Sequence, residues 1–396
     1  MTGDKLLDNY VLGHVRAVVR DRIVDDATVV VRDGSIAEVR GGGGGSRVDV
    51  DGRGALCLPG LVDIHSDNLS REHCPRPGAT LPADFALASV ESQLRAAGIA
   101  TGFHGVAFQQ LSAVGLLIDQ DGPGRISAAI SQRQSASVDH RILHRVDIRS
   151  PAGIAALRAA LDDMPSCPAA NRPVVSHEDH TPGQGQYADP AVMQRWLVET
   201  GAMGMAESVA HVSTLAAARD EFLGFRDEAL DWLGGLARAG KIILAGHDPA
   251  SESDIDLLAR RGGTIAEFPT TTVAGRAARC RGLASVVGAP NIVRGGSHAG
   301  NVSALALIAA GAANVIASDY LPTAMLAGAF EVARQGAASL PNAVAMVTAN
   351  PATATGLRDR GALIEGLRAD LILIDDSGRW PKVMAPPGTG YLRIKI

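Results

Sequence analysis

Residues 58–68 read LPGLVDIHSDN, which sets His65 and Asp67 two positions apart at the end of an apolar run. In a β-strand, side chains i and i+2 share a face, so an imidazole and a carboxylate would leave such a strand side by side. Together they form either half of a metal site or one hydrogen-bonded pair. Groups of the same kind recur along the chain: Asp147; His177, Glu178, Asp179 and His180 in SHEDHTPGQ; His247 and Asp248 in AGHD; Glu267 in AEFPTT; His298 in RGGSHAGN; and Asp319 in ASDY. Mixed imidazole and carboxylate donors suit Zn, Mn or Fe, whereas an all-carboxylate set suits Mg or Ca.

Strands must position these groups. From about residue 58, short β-branched runs alternate with alanine-rich helical stretches, the pattern of β/α units around a parallel sheet. Eight candidate strands fall at 60–66, 99–106, 141–148, 173–178, 241–247, 263–268, 290–294 and 314–319. The expected fold is therefore α/β, a (β/α)8 TIM barrel, in which catalytic groups gather at the C-terminal strand ends and the loops after them. The polar groups above stand at those ends. A segment of roughly 181–240 reads as a helical insertion. Strand texture before residue 58 and again in GALIEGLRADLILIDDSGRW predicts a small β-sandwich domain built from both chain termini. The expected divisions are 1–57, 58–355 and 356–396, with turns at Asp25-Asp26 and Asp33-Gly34 and a hairpin tip over Gly41 to Gly45.

Composition narrows the function. At 396 residues and 46% hydrophobic, the chain can bury a large core beside a smaller domain. Its formal charge of −5 argues against broad binding to nucleic acid or anionic membrane. The stretch from Val302 to Ser318 carries Ser303, Gly311 and Asn314 and falls short of the roughly 20 apolar residues a membrane helix needs. The four cysteines stand far apart with no C-x-x-C pair, and MTGDKLLDNY has no secretory pattern, so a cytoplasmic protein is expected. A small anionic substrate fits, provided arginines or a metal meet its charge locally.

The opening LPGLVDIHSD and the closing GALIEGLRADL resemble the bracketing motifs of the amidohydrolase superfamily, and the resemblance spans nearly the whole chain. Two features depart from it. The usual His-x-His is His65-x-Asp67, and the carboxylated lysine that many members carry on strand 4 has no counterpart. The chain's lysines are Lys5, Lys241, Lys382 and Lys395, none at the C-terminal end of a predicted strand. A bridging ligand must then be a carboxylate, with Asp147 and Glu178 the candidates. More narrowly, HSDN, PRPG, DHTPGQ, GHD, AEFPTT, NIVRGGSHAGNVSA and SDY resemble the diphosphatases of the carbon–phosphorus lyase pathway, which split a ribose 1-methylphosphonate 5-triphosphate into the 5-phosphate and pyrophosphate.

That resemblance implies a divalent metal, Zn or else Mn or Fe, as one or two ions held by His65, Asp67, His180, His247 and Asp319, with Asp147 favoured over Glu178 as the bridge. His247 and Asp319 would be catalytic, Asp319 orienting or deprotonating the attacking water. Arg76 and the segment Arg294, Gly295, Gly296, Ser297, His298 and Asn301 would bind the substrate's phosphates, because glycine lets backbone N–H groups approach an anion. Such proteins are commonly homo-oligomers, and the 181–240 insertion offers a contact surface. Two other readings stay open: a cyclic-amide hydrolase or deaminase, and a non-catalytic assembly protein on the same scaffold.

Overall fold

In the computed structural model, residues 8–42, 48–76, 78–112, 115, 122–133, 137–163, 171–297 and 300–384 are described. Five strands come first: β1 (Tyr10–Val19), β2 (Arg22–Arg32), β3 (Ser35–Arg40), β4 (Val50–Asp51) and β5 (Leu56–Pro59). Eight follow in the middle of the chain: β6 (Leu61–Ser66), β7 (Ile99–Phe108), β8 (Asp139–Asp147), β9 (Val174–Glu178), β10 (Ile243–His247), β11 (Ile265–Glu267), β12 (Ala284–Gly288) and β13 (Val315–Ala317). Then come β14 (Leu371–Asp375) and β15 (Lys382–Met384).

The middle eight form one parallel sheet in sequence order, β6 through β13. It curls into a nearly closed barrel whose seam is a single bridge between Ser66 and Asp319. Asp63 reinforces the seam by accepting the Ser318 backbone N–H at 2.9 Å and the Ser318 hydroxyl at 2.5 Å. Val62, Ile64, Phe103, Leu143, Val174, Ile243, Ala245, Ile265, Val286, Val315 and Ala317 share one buried cluster. Their alternating neighbours, among them Leu61, Val106, Val146, Val175, Leu244, Ala266, Val287 and Ile316, belong to another with the surrounding helices. Both faces of these strands are thus apolar, which explains their near-continuous hydrophobic texture.

Strands from both termini build a separate mixed sheet in the order β15-β14-β5-β1-β2-β3, with β4 beside β1. Its own core includes Tyr10, Leu12, Val29, Ile36, Cys57, Leu371 and Leu373. The first hairpin turns at Arg20 and Asp21, not at Asp25-Asp26, which lies inside β2. Asp26 there adopts φ 46° opposite His14 at φ 54°, and the two meet through a 3.1 Å contact at an irregularity in the β1–β2 register. Such a bulge places aspartate within a strand. The second turn falls at Asp33-Gly34 as read from sequence. Gly43 to Gly45 of the glycine run lie outside the described residues.

One barrel strand is displaced from its predicted place. The seventh is β12 at Ala284–Gly288, and 290–294 belongs to the helix Ala289–Arg294. Pro290 suits the first turn of that helix, and Gly295 at φ +84° ends it in the left-handed conformation. The insertion contains the helices Pro190–Glu199, Met205–Asp220 and Leu223–Arg238. Met193, Leu197, Val212 and Leu215 join the first two. Among the described residues no helix is long and apolar enough to cross a membrane.

Candidate active site

The inward face of the barrel strands continues at period two into the polar groups of its mouth: Ala245 leads to His247, Ile265 to Glu267 and Ala317 to Asp319. Glu267 sits at the centre and is buried. Its Oε1 lies 3.2 Å from His65 Nδ1 and its Oε2 lies 3.4 Å from His247 Nδ1, while the Ser176 hydroxyl donates to Oε2. Burial opposes a charge there, but the two imidazoles outweigh it and hold the carboxyl well below its usual range. With Nδ1 engaged on each ring, the Nε2 atoms face outward: that of His65 toward Asp67 at 3.8 Å, that of His247 toward Asp248 at 3.7 Å. The two rings stack at 5.5 Å, and Phe268 packs edge-on against both at 4.7 and 5.4 Å.

Burial lowers the basicity of His247, yet Asp248 and Glu178 overcome it and push the ring up to about 10. An imidazole in such a carboxylate cage keeps a cation, either a proton or a metal ion. Three residues that shape the mouth, Asp248, Phe268 and Asp319, adopt φ of 52°, 51° and 57°. This left-handed backbone is unfavourable for all three and most so for phenylalanine. Asp319 exchanges backbone hydrogen bonds with the opposite side of the seam: its N–H donates to His65 at 3.0 Å, and its carbonyl accepts from Asp67 at 2.6 Å. Burial and the nearby Asp67 raise its carboxyl to about 6.

Glu178 and Asp147 stand opposite one another at the ends of β9 and β8, but of the two it is Glu178 that approaches the imidazoles of the cluster. Its Oε2 is 3.8 Å from His180 Nδ1 and its Oε1 is 3.9 Å from His247 Nδ1. The Arg145 guanidinium donates to Glu178 and also to Asp67. Against the effect of burial, Arg145 brings the Glu178 carboxyl down to about 2. Asp147, the expected bridging ligand, is engaged elsewhere. Both its oxygens accept from Arg219 of the insertion, at 2.8 and 2.9 Å, and Oδ1 also accepts the Arg149 backbone N–H at 2.9 Å. A carboxylate saturated by a bidentate guanidinium does not offer itself to the metal cluster.

Gly105 on β7 makes room for this arrangement. A Cβ there would stand 2.9 Å from Arg145 Cδ and 2.9 Å from Asp67 Oδ1. Gly105→Ala is therefore expected to crowd the Arg145 stem against its two carboxylates and to destabilise the protein by about 1–3 kcal/mol, as overpacking a filled site does. Urea denaturation checks this, and an unchanged midpoint would refute the packing argument.

The cavity above the cluster has a volume of about 280 Å³ and is lined by His65, Asp67, Arg145, His247, Asp248 and Asp319, with Arg294, Ser297 and Asn301 also on its wall. The last three were expected to bind substrate. Arg294 ends the helix Ala289–Arg294, and Ser297 and Asn301 lie between that helix and Ala304–Ala309, so none comes directly from a strand end. The Arg294 side chain donates to the Gly296 carbonyl at 3.2 and 2.8 Å, and Gly295 is the left-handed cap beneath it. His298 lies outside the described residues. Arg76 is exposed in the loop after the helix Asn68–His73 and is not brought to the cavity wall.

In sequence the chain is 33% identical over 374 residues to the alpha-D-ribose 1-methylphosphonate 5-triphosphate diphosphatase of Escherichia coli K12, a match covering 92% of this chain and 94% of that protein. The chain belongs to the family of that diphosphatase. No family model matches it. Among solved structures it is similar to the 5-methylcytosine deaminase of Klebsiella pneumoniae bound to 5-fluorocytosine, with a TM-score of 0.61, 15% identity and 95% of each chain covered. It is also similar to the L-hydantoinase of Arthrobacter aurescens, with a TM-score of 0.53, 15% identity, and 92% of this chain and 86% of that one covered. These two likenesses concern the fold.

The donors of this site fit a metal ion. Two triads bring ligand atoms close enough to share a cation: His65, His247 and Glu267, and His180, His247 and Asp248. The first is already knit by its own hydrogen bonds. In the second, His180 Nε2 and Asp248 Oδ2 are buried without a hydrogen-bond partner. Buried polar atoms of this kind call for an explanation, and a coordinated ion supplies one. Arg145 was not anticipated from the sequence, and Glu267 and Asp248 were noted at strand ends without a role. Arg145 stands two residues before Asp147 on one strand, so the period-two rule that united His65 and Asp67 pointed to it.

Proposed function

We propose that the protein hydrolyses alpha-D-ribose 1-methylphosphonate 5-triphosphate to the 5-phosphate and pyrophosphate, as a step of phosphonate catabolism. The observation that carries this reading is the 33% identity over 92% of the chain to the Escherichia coli diphosphatase. The mixed imidazole and carboxylate cluster beneath a cavity walled by Arg294, Ser297 and Asn301 supports it. His180, His247 and Asp248 would hold the ion, for which we propose zinc, with His65 and Asp67 beside them. When bound, a divalent ion lowers the pKa of a coordinated water and polarises a phosphoryl oxygen.

The protein's own groups do the rest. Glu267 fixes the His65 and His247 rings through Nδ1, so that each Nε2 faces the cavity. The Asp319 carboxylate, set across the seam from His65, accepts a proton from the attacking water. Water oxygen bonds to phosphorus, the bridging P–O bond of the anhydride breaks, and pyrophosphate leaves. Arg294 at the rim meets the anionic leaving group once its guanidinium turns from the Gly296 carbonyl. We expect pyrophosphate release from this triphosphate by zinc- or manganese-loaded protein, abolished by a chelator and restored by the metal. A metal-loaded protein that leaves the triphosphate intact but opens cyclic amides would refute the proposal in favour of carbon chemistry.

A further inference from the structure

The carboxylates around the mouth of the barrel are not equally free to bind an ion. Asp67 and Glu178 face each other across Arg145, whose guanidinium donates to both. The Arg145 side chain is 16% exposed, and that of Glu178 is 3% exposed. The stem of Arg145 passes over Gly105, where the absence of a Cβ leaves it space. This arginine is seated between two acids by the shape of the strand beside it.

The metal-compatible triads bear on the same point. They share His247, and the one containing Glu267 is satisfied internally by contacts of 3.2 and 3.4 Å and by Ser176. Among the described residues this leaves one triad with buried, unsatisfied ligand atoms, that of His180, His247 and Asp248. A second ion in the mouth would have to draw on Asp67 and Glu178. It would then lie against a guanidinium that stays charged at any pH a protein tolerates. Two cations cannot share those carboxylates without strong repulsion in a partly desolvated site.

We propose that this site holds one divalent ion, and that Arg145 takes the place and the charge of a second, neutralising Asp67 and Glu178 and presenting a fixed cation to the phosphoryl oxygens of the substrate. This rests on the reading of the site as a metal centre acting on a polyphosphate. Guanidinium suits the task because its planar fork can engage carboxylates on one edge and phosphoryl oxygens on another.

The test is ion stoichiometry. Purified protein is saturated with Mn(II), freed of excess, and examined by elemental analysis and electron paramagnetic resonance, alongside Arg145→Met and Arg145→Lys. Wild-type and Arg145→Lys chains are expected to hold one ion each, with the hyperfine pattern of an isolated Mn(II). Arg145→Met is expected to take up a second ion and to show exchange coupling between the pair. Two ions per wild-type chain, or a coupled spectrum from it, would overturn the inference while leaving pyrophosphate release intact as support for the function. A folded Arg145→Met chain that still holds one ion would also overturn it. Should Arg145→Met fail to fold, the wild-type count and spectrum decide alone. A wild-type chain that binds no ion would overturn this inference and the metal-centre reading together.

Discussion

Asp319→Asn is expected to lower kcat by about 10²–10⁴-fold, the usual contribution of a positioned general base, while the protein keeps its fold and its metal. Three observations support this. The side chain lines the cavity beside the metal cluster. Its carboxyl is raised to about 6, which leaves it ionised yet basic enough to accept a proton near neutrality. The structural work at this position is done by the backbone, through the hydrogen bonds to His65 and Asp67 across the barrel seam. Asparagine keeps those bonds and tolerates φ 57° as well as aspartate does. Steady-state pyrophosphate release, circular dichroism and metal content measured on one preparation separate the effects. A variant retaining more than a tenth of the wild-type rate would remove Asp319 from proton transfer.

Arg219→Ala is expected to destabilise the protein by about 3–5 kcal/mol, because it leaves buried carboxylates without their counter-charge. Arg219, 10% exposed, donates both amino groups to Asp147 and reaches Asp179 at 3.4 Å and the Thr181 hydroxyl at 2.7 Å. Arg149 completes the group by pairing with Asp179 at 2.8 Å and Asp220 at 2.9 Å. The network ties the helix Met205–Asp220 to the ends of β8 and β9, and its member Asp179 immediately precedes His180. Loss of the arginine should therefore loosen His180 as well, so metal affinity falls together with the urea midpoint. Adding Asp147→Asn should recover part of the stability, since it removes one uncompensated charge. Unchanged stability in Arg219→Ala would mean that the insertion is held by its apolar contacts instead.

Much of the barrel was readable because its strands are apolar on both faces and end in polar residues. The eight runs around His65, Asp147, Glu178, His247 and their like stand out on that contrast. The seventh strand was misplaced for a local reason. Asn291-Ile292-Val293 has strand-like composition, but Pro290 and Gly295 bracket it as a helix, and the Ala-Ser-Val-Val-Gly run before it enters the sheet. The choice between Asp147 and Glu178 was out of reach of pattern reading. They are register partners on neighbouring strands, so spacing treats them alike. What separates them is Arg219, 72 residues beyond Asp147, and Arg145, whose positive charge kept it out of a search for ligands. Arg76 stands exposed in a loop away from the cavity wall, a placement that its neighbours in the sequence do not signal.

Asp248, Phe268 and Asp319 hold left-handed backbone at the rim of the barrel. Each such residue costs on the order of 1–3 kcal/mol relative to a glycine in the same place. Phe268 illustrates the conflict: glycine there would relax the chain but would also remove the ring that braces His65 and His247. Selection for heat resistance alone would favour glycine at these three positions, and selection for turnover would resist it. Stability and activity pull in opposite directions at the end of three strands, so a thermostable descendant of this chain has to find its gains elsewhere in the barrel.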